Sequence, residues 1–393
     1  MPSARTPPHL ITLVLLTGFA PLSLNMFTPS LAGMARDLGT DYATISLAVS
    51  GYLAVTAVLQ LIMGPLSDRI GRRPVILGIL AVFVAASVGC LLARDITTFL
   101  AFRMLQGGMT AGYTLAMTIV RDTRDERTAV SVIGYIGMAM ALGPMLGPVL
   151  GGVVDAALGW RATFAFYAIA GAGVLTLCWA DLGETRAERA ARPRATLLLG
   201  APVFWAHALC GMFSVGAFYI FITGVPLVAQ ATFGITTAEL GLYIGSITLG
   251  FMVGGFLTGR TAGRLAPTTL MIAGRLVACG GLAAALVAWS LGVTSLPVLF
   301  AGTICAGLGN GLTMPGASTG AMSVRPDMAG SAAGLMGALV VAGGAALTGV
   351  TGWALPEEGG APILLGLMLA SSAAGLAMAL WAARLRNVGL QHS

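Results

Sequence analysis

Lysine is absent: every one of the 21 basic residues is arginine. Charge of both signs is scarce, at 9% of 393 residues, where a soluble domain carries about 25%. A water-soluble fold of this composition would have nothing polar enough to cover its core. The exterior is therefore expected to face lipid. Histidine and cysteine number only three and five. The cysteines (Cys90, Cys178, Cys210, Cys279 and Cys305) lie inside or beside apolar runs. They show no C-x-x-C or metal-ligand spacing and read as small core hydrophobes. No phosphate-cradling glycine loop, His-Glu-x-x-His or nucleophile elbow is present. An ATP-driven pump or a membrane enzyme is not expected, and neither is a metal or a cofactor.

What the chain has is apolar length. Hydrophobic residues make up 57% of it, and the mean hydropathy is +0.89. A helix rises ~1.5 Å per residue, so about 20 apolar residues cross a bilayer. Runs of that length occupy 9–33, 44–66, 74–93, 97–120, 129–154 and 161–180. After a polar stretch come 201–228, 239–259, 268–290, 296–321, 329–353 and 361–383. The first run is too long for a signal-peptide core and reads as an uncleaved span. The expected fold is all-α and membrane-integral, with about twelve spans in two six-helix bundles, 1–180 and 201–393, joined by a charged cytoplasmic connector at 181–200.

A net charge of +6 would suggest a nucleic-acid partner in a soluble protein. Here the distribution of arginines matters more than their sum, because cytoplasmic loops carry the positive excess. With the N-terminus inside, Arg5, Arg69, Arg72, Arg73, Arg121, Arg124, Arg127, Arg186, Arg189, Arg192, Arg194, Arg260, Arg264, Arg275, Arg325, Arg384 and Arg386 fall at the cytoplasmic side. Only Arg36, Arg94 and Arg161 fall outside, and Arg103 is left within a span. Both termini are then cytoplasmic. The abundance of Arg, Ala and Gly without Lys points to a bacterium, and so to its inner membrane.

Three motifs stand at definite places in this frame. Gly64-Pro65-Leu66-Ser67-Asp68-Arg69-Ile70-Gly71-Arg72-Arg73-Pro74 joins spans two and three. Arg103-Met104-Leu105-Gln106-Gly107-Gly108 lies in span four. Gly143-Pro144-Met145-Leu146-Gly147-Pro148-Val149-Leu150-Gly151-Gly152 lies late in span five. In the loop, glycine permits a tight turn, Asp68 can cap a helix or pair with Arg, and the arginines hold the loop inside. In span five, Gly143, Gly147 and Gly151 at four-residue spacing allow another helix to come close, while Pro144 and Pro148 remove helix hydrogen bonds. Span eleven, with Gly330, Gly334 and Gly337, is one possible partner. Together the motifs closely resemble the major facilitator superfamily, and within it the twelve-span drug:proton antiporters of the Bcr/CflA type, which include chloramphenicol and bicyclomycin exporters.

The resemblance implies alternating access. It makes the Gly64–Pro74 loop, with Gly64, Asp68, Arg69, Gly71, Arg72 and Arg73, an ionic latch between the halves. It makes Gly143, Pro144, Gly147, Pro148, Gly151 and Gly152 a gating element. The resembled family carries Asp-x-Tyr-x-Pro in span one, and its Asp is a candidate proton carrier; here the stretch reads Asn25-Met26-Phe27-Thr28-Pro29. Arg103 lies at about the depth of Asn25, and the two could meet. A charge inside a span normally marks a pathway or a partner. Proton-coupling candidates are His207, whose ordinary pKa of about 6.5 suits the task but which reads first as a packed neutral ring, and Asp68 and Asp155 at span ends. A substrate cavity between the halves is expected to draw on Asn25, Gln60, Arg103, Gln106, Tyr113, Tyr219 and Asn310. Met26, Phe27, Met117, Phe218 and Phe221 would make an apolar wall, unless they simply pack.

The expected activity is export of small amphipathic compounds by a proton-coupled monomer. One alternative is transport of a metabolite or anion without proton antiport, with Arg103 as an anion ligand. The other is a non-transporting sensor or scaffold, which would call for large soluble loops or a signalling tail.

Overall fold

Helices dominate because lipid offers no hydrogen-bond partner to a backbone that crosses it. The computed structural model describes residues 7–124, 126–184, 196–261, 264–325, 328–356 and 359–391. Span one is α1 (Leu10–Asn25), a 3₁₀ turn (Thr28–Ser30) and α2 (Leu31–Asp37). Next come α3 (Tyr42–Ile70) and α4 (Arg72–Leu92). Span four is α5 (Ile96–Leu105), a 3₁₀ stretch (Gln106–Thr110) and α6 (Ala111–Thr123). Then follow α7 (Glu126–Leu158), α8 (Arg161–Asp181) and the short α9 (Thr196–Leu199). The remaining spans are α10 (Pro202–Phe233), α11 (Thr237–Thr261), α12 (Pro267–Ser290), α13 (Leu296–Ser323), α14 (Ala329–Ala354) and α15 (Ala361–Gln391). Among the described residues ten helices are long and apolar enough to cross a membrane, and the Leu142–Leu158 part of α7 is a shorter apolar helix. Together with span four, whose 3₁₀ stretch interrupts it, the passes number about twelve, and the chain is a multi-pass membrane protein.

Helix ends follow local chemistry. Asp41 caps α3 by accepting from the Thr44 N–H at 2.6 Å, and Asp95 caps α5 by accepting from the Thr98 N–H at 2.8 Å. Those amides hold both exposed carboxyls below the usual carboxylate range. Proline opens α10, α12 and α13 where a missing N–H costs nothing. Gly234 closes α10 in the left-handed region at φ 63°.

The chain divides into two compact units. The first is Met1–Ala191 with Thr236–Leu242; the second is Arg192–Ile235 with Tyr243–Ser393. Within the first, a run of edge-on rings ties α1, α4, α5 and α8 together: Phe19–Phe83 at 5.2 Å, Tyr167–Phe164 at 5.5 Å, Phe164–Phe99 at 5.4 Å and Phe99–Trp160 at 5.7 Å. Within the second, small residues let backbones touch. A Cβ on Gly274 of α12 would lie 2.5 Å from the Gly309 carbonyl of α13, and one on Gly311 of α13 would strike the Phe251 carbonyl of α11. That is the packing expected where lipid removes the hydrophobic drive between helices. Side chains on the outer faces, such as Leu158, Ile169, Leu291 and Trp353, are large, apolar and exposed.

Candidate functional site

Span one breaks where the sequence turns polar. The Asn25 carbonyl accepts from the Thr28 hydroxyl at 2.7 Å, and Pro29 cannot donate to an α-helical ladder. The Asn25 amide donates to the Pro21 carbonyl at 2.7 Å, while its Oδ1 is buried without a partner.

Arg103, fully buried on α5, reaches into this break. Its Nη2 donates to the Ser23 carbonyl at 3.2 Å, its Nε to the Ala48 carbonyl of α3 at 3.3 Å and its Nη1 to Gln106 Oε1 at 2.6 Å. Phe27 and Tyr52 cover the guanidinium, their ring centroids 4.3 and 4.4 Å away. The Ser23 carbonyl also accepts from Tyr167 Oη at 3.0 Å. Arg103 thus meets the chain two residues before Asn25, not the Asn25 side chain. All three acceptors are neutral oxygens, supplemented by two aromatic faces. Arg103 and Gln106 are engaged with the protein, and Phe27 covers the guanidinium instead of serving as a plain apolar wall. Beyond Gln106, Gly107 sits directly on α3: a Cβ there would lie 2.9 Å from the Tyr52 carbonyl.

The glycines of α7 meet α1. A Cβ on Gly143 would lie 2.8 Å from Pro21, one on Gly147 3.2 Å from the Met26 nitrogen, and one on Gly151 would collide with the Met26 carbonyl. Gly334 and Gly337 face open space, and Gly330 lies outside the described side chains. Gly152 and Pro148 sit against the first turns of α11, at Thr237 and Gly241. Pro144 is half-buried within the same helix.

The α3–α4 turn is pinned within its own unit. Gly71 has φ 105°, a value reserved for glycine, and the Glu184 carboxylate fills the space where a Cβ would project. Glu184 Oε1 accepts from the Arg72 N–H at 2.9 Å, and Arg73 Nη2 donates to the Trp179 carbonyl at 2.8 Å. Arg72 is buried and Arg69 exposed. Gly64 and Asp68 lie outside the described side chains. Glu184 escaped sequence reasoning because its partner is 112 residues away.

One expectation is overturned. Arg275 is not at the cytoplasmic face: it lies in the middle of α12 and is fully buried. It is the ninth residue of that helix, about 12 Å in, and its position within the run 268–290 was the available signal. Its Nη2 donates to Asn310 Oδ1 at 2.6 Å and its Nε to Thr313 Oγ1 at 3.0 Å. Ser214 of α10 donates to the same Asn310 oxygen at 2.7 Å. Asn310 is therefore part of an arginine network.

The other expected residues lie on separate helices. Gln60 on α3 and Tyr113 on α6 are half-buried. Tyr219 is buried on α10, its ring where a Cβ on Gly344 of α14 would go. Met26 and Phe221 are buried, Phe221 edge-on to Phe300 at 6.1 Å, while Met117 and Phe218 are half-buried. His207 packs against Gly320, with Nδ1 2.8 Å from the Val203 carbonyl. A carbonyl can only accept, so Nδ1 carries a proton. Asp155 is half-buried in the last turn of α7, beside Thr237 and Ser30. An apolar groove of about 420 Å³ lies between α1, α7 and α8, lined by Leu15, Leu22, Leu146, Leu150 and Phe166 among others. It offers no polar group to orient a ligand.

Comparison with known proteins accounts for this arrangement. The chain is 30% identical over 361 residues to multidrug resistance protein D of Escherichia coli K12, covering 89% of each chain. It is 31% identical over 381 residues to multidrug resistance protein MdtL of E. coli O157:H7, covering 94% of each. It is 34% identical over 265 residues to a chloramphenicol resistance protein of Pseudomonas aeruginosa, an alignment spanning 65% of this chain and 62% of that one. In fold it is similar to a bacterial homologue of the human lysosomal transporter Spinster (TM-score 0.76, 18% identity, 95% of this chain and 96% of that one) and to a D-xylose–proton symporter (TM-score 0.73, 16% identity, 95% and 97%). The model of the Major Facilitator Superfamily matches residues 13–349. The chain belongs to the Major Facilitator Superfamily.

Proposed function

We propose that this chain exports small amphipathic compounds, phenicols or a wider range of drugs, by alternating access and proton-coupled antiport. The observation that carries the substrate class is similarity along nearly the whole chain to proteins named for multidrug resistance. The glycine-proline seam of α7 against α1 supports alternating access, since a backbone-tight, proline-bearing helix is suited to move as one piece. The protein works as a monomer in the bacterial inner membrane with both termini cytoplasmic. Its functional halves are 1–180 and 201–393, and the loop around Asp68 and Arg69 latches one access state. Asp155, half-buried at the end of α7, is the preferred proton carrier. His207 and Asp68 are the alternatives.

A second reading is favoured by one observation. Asn25 stands where the resembled family has a carboxylate, and its Oδ1 is buried without a partner. A transporter of a metabolite or anion without proton antiport would need no carboxylate there. A drug-susceptibility panel in an efflux-deficient host tests the choice. Protection by the intact protein, lost in Arg103→Ala, is the expected result. No protection against any compound by a well-expressed protein contradicts drug export.

A further inference from the structure

Arg275 is a buried cation with no carboxylate partner among the described residues. Arginine stays protonated in proteins, so its charge cannot be removed by titration. The second unit has only three acids in its sequence, Asp327, Glu357 and Glu358, and all three lie outside the described residues. The two neutral acceptors of Arg275 are already in full use. Asn310 Oδ1 takes Ser214 at 2.7 Å and Arg275 Nη2 at 2.6 Å, which fills both its lone pairs. Thr313 accepts from Arg275 Nε at 3.0 Å while its own hydroxyl donates to the Gly309 carbonyl at 2.7 Å. Arg275 Nη1 is buried with no hydrogen-bond partner among the described residues.

The same chain shows how a buried arginine is otherwise satisfied. Arg103 uses all three of its nitrogens and lies between two aromatic faces. Arg275 lacks the third acceptor and has no such ring among the described contacts. An orphaned charged donor in a low-dielectric interior is costly, and a sequence that keeps one normally supplies its partner from outside the chain. We infer that Arg275 Nη1, held in place by the bonds of Arg275 to Asn310 and Thr313, is an anion-binding group within the second unit, taking a small monovalent anion, halide or carboxylate. The inference does not depend on the transported substrate.

The test uses the purified full-length protein in detergent at constant ionic strength, with the bulky sulfonate MES replaced by chloride or by acetate. Chloride is expected to raise the wild-type unfolding midpoint by about 1–2 °C, the shift of a ligand several-fold above its Kd in a chain of this length. A matching shift with acetate assigns the site to carboxylate-bearing solutes as well as halide; a shift with chloride alone assigns it to halide. Arg275→Met should lose the shift. Asn310→Asp places a carboxylate beside Arg275 and should raise the midpoint in MES while abolishing the anion dependence. That second variant decides the matter if Arg275→Met fails to fold. A wild-type midpoint indifferent to both anions, or a shift that survives in Asn310→Asp, overturns the inference.

Discussion

Gln106 joins two partners at once: its Oε1 accepts from Arg103 at 2.6 Å and its Nε2 donates to the Ser87 hydroxyl at 2.7 Å. The amide links α5 to α4 through a buried charge. Gln106→Leu keeps the volume and removes the acceptor, stranding Arg103 Nη1. A hydrogen bond to a charged group contributes about 1.5–3 kcal/mol, and the loss should be of that order. Chemical unfolding in mixed micelles reads it. Gln106→Glu retains an acceptor and should lose much less.

The seam between α7 and α1 predicts a graded glycine series. A Cβ on Gly151 would collide with the Met26 carbonyl, one on Gly147 would press at 3.2 Å, and one on Gly173 of α8 meets nothing within 4 Å. Overpacking costs about 1–3 kcal/mol where neighbours can shift, and a collision with backbone lies at or above the top of that range. Gly151→Ala should therefore unfold most readily and lose transport. Gly147→Ala should be intermediate, and Gly173→Ala should stay within about 0.5 kcal/mol of the parent. Equal stability across the three would mean that the seam is not tight.

Capping by Asp95 predicts a pH-dependent contribution. Its folded-state pKa lies below the ordinary 3.8 because the Thr98 amide and hydroxyl favour the carboxylate. Stability from a depressed carboxylate is present above the unfolded pKa and is lost as pH falls through the folded one. Asp95→Ala should thus be less stable than the parent at neutral pH, with the gap closing only below pH 3.8. Unfolding midpoints across an acid series measure it. A gap that already closes near pH 6 contradicts the cap.

Asn25→Asp adds a buried carboxylate at the break in span one. Under the proton-antiport reading it should steepen the pH dependence of transport, measured as initial rate against pH. An unchanged profile would remove Asn25 from the coupling path.

The spans were legible because bilayer crossing demands length, and length is visible in one dimension. The interruptions were not. Asn25–Phe27 and Gln106–Thr110 lie within continuous apolar runs, so the hydropathy pattern passes through both without a break. Arg103 stood out because nothing near it in sequence explained a charge. Arg275 did not, because eight residues from Pro267 it could still be counted with a loop. Glu184 was unreadable as a partner of Gly71 and Arg72 because that contact exists only once α8 returns to the α3–α4 turn.

The central claim is exchange of an amphipathic compound for protons. Its most direct measurement is flux of a compound identified by the susceptibility panel, in proteoliposomes carrying an internal pH indicator. An imposed pH gradient should drive the compound against its concentration gradient, with protons moving the opposite way, and an ionophore that collapses the gradient should stop both. Compound flux that moves no protons and ignores the gradient would contradict the claim.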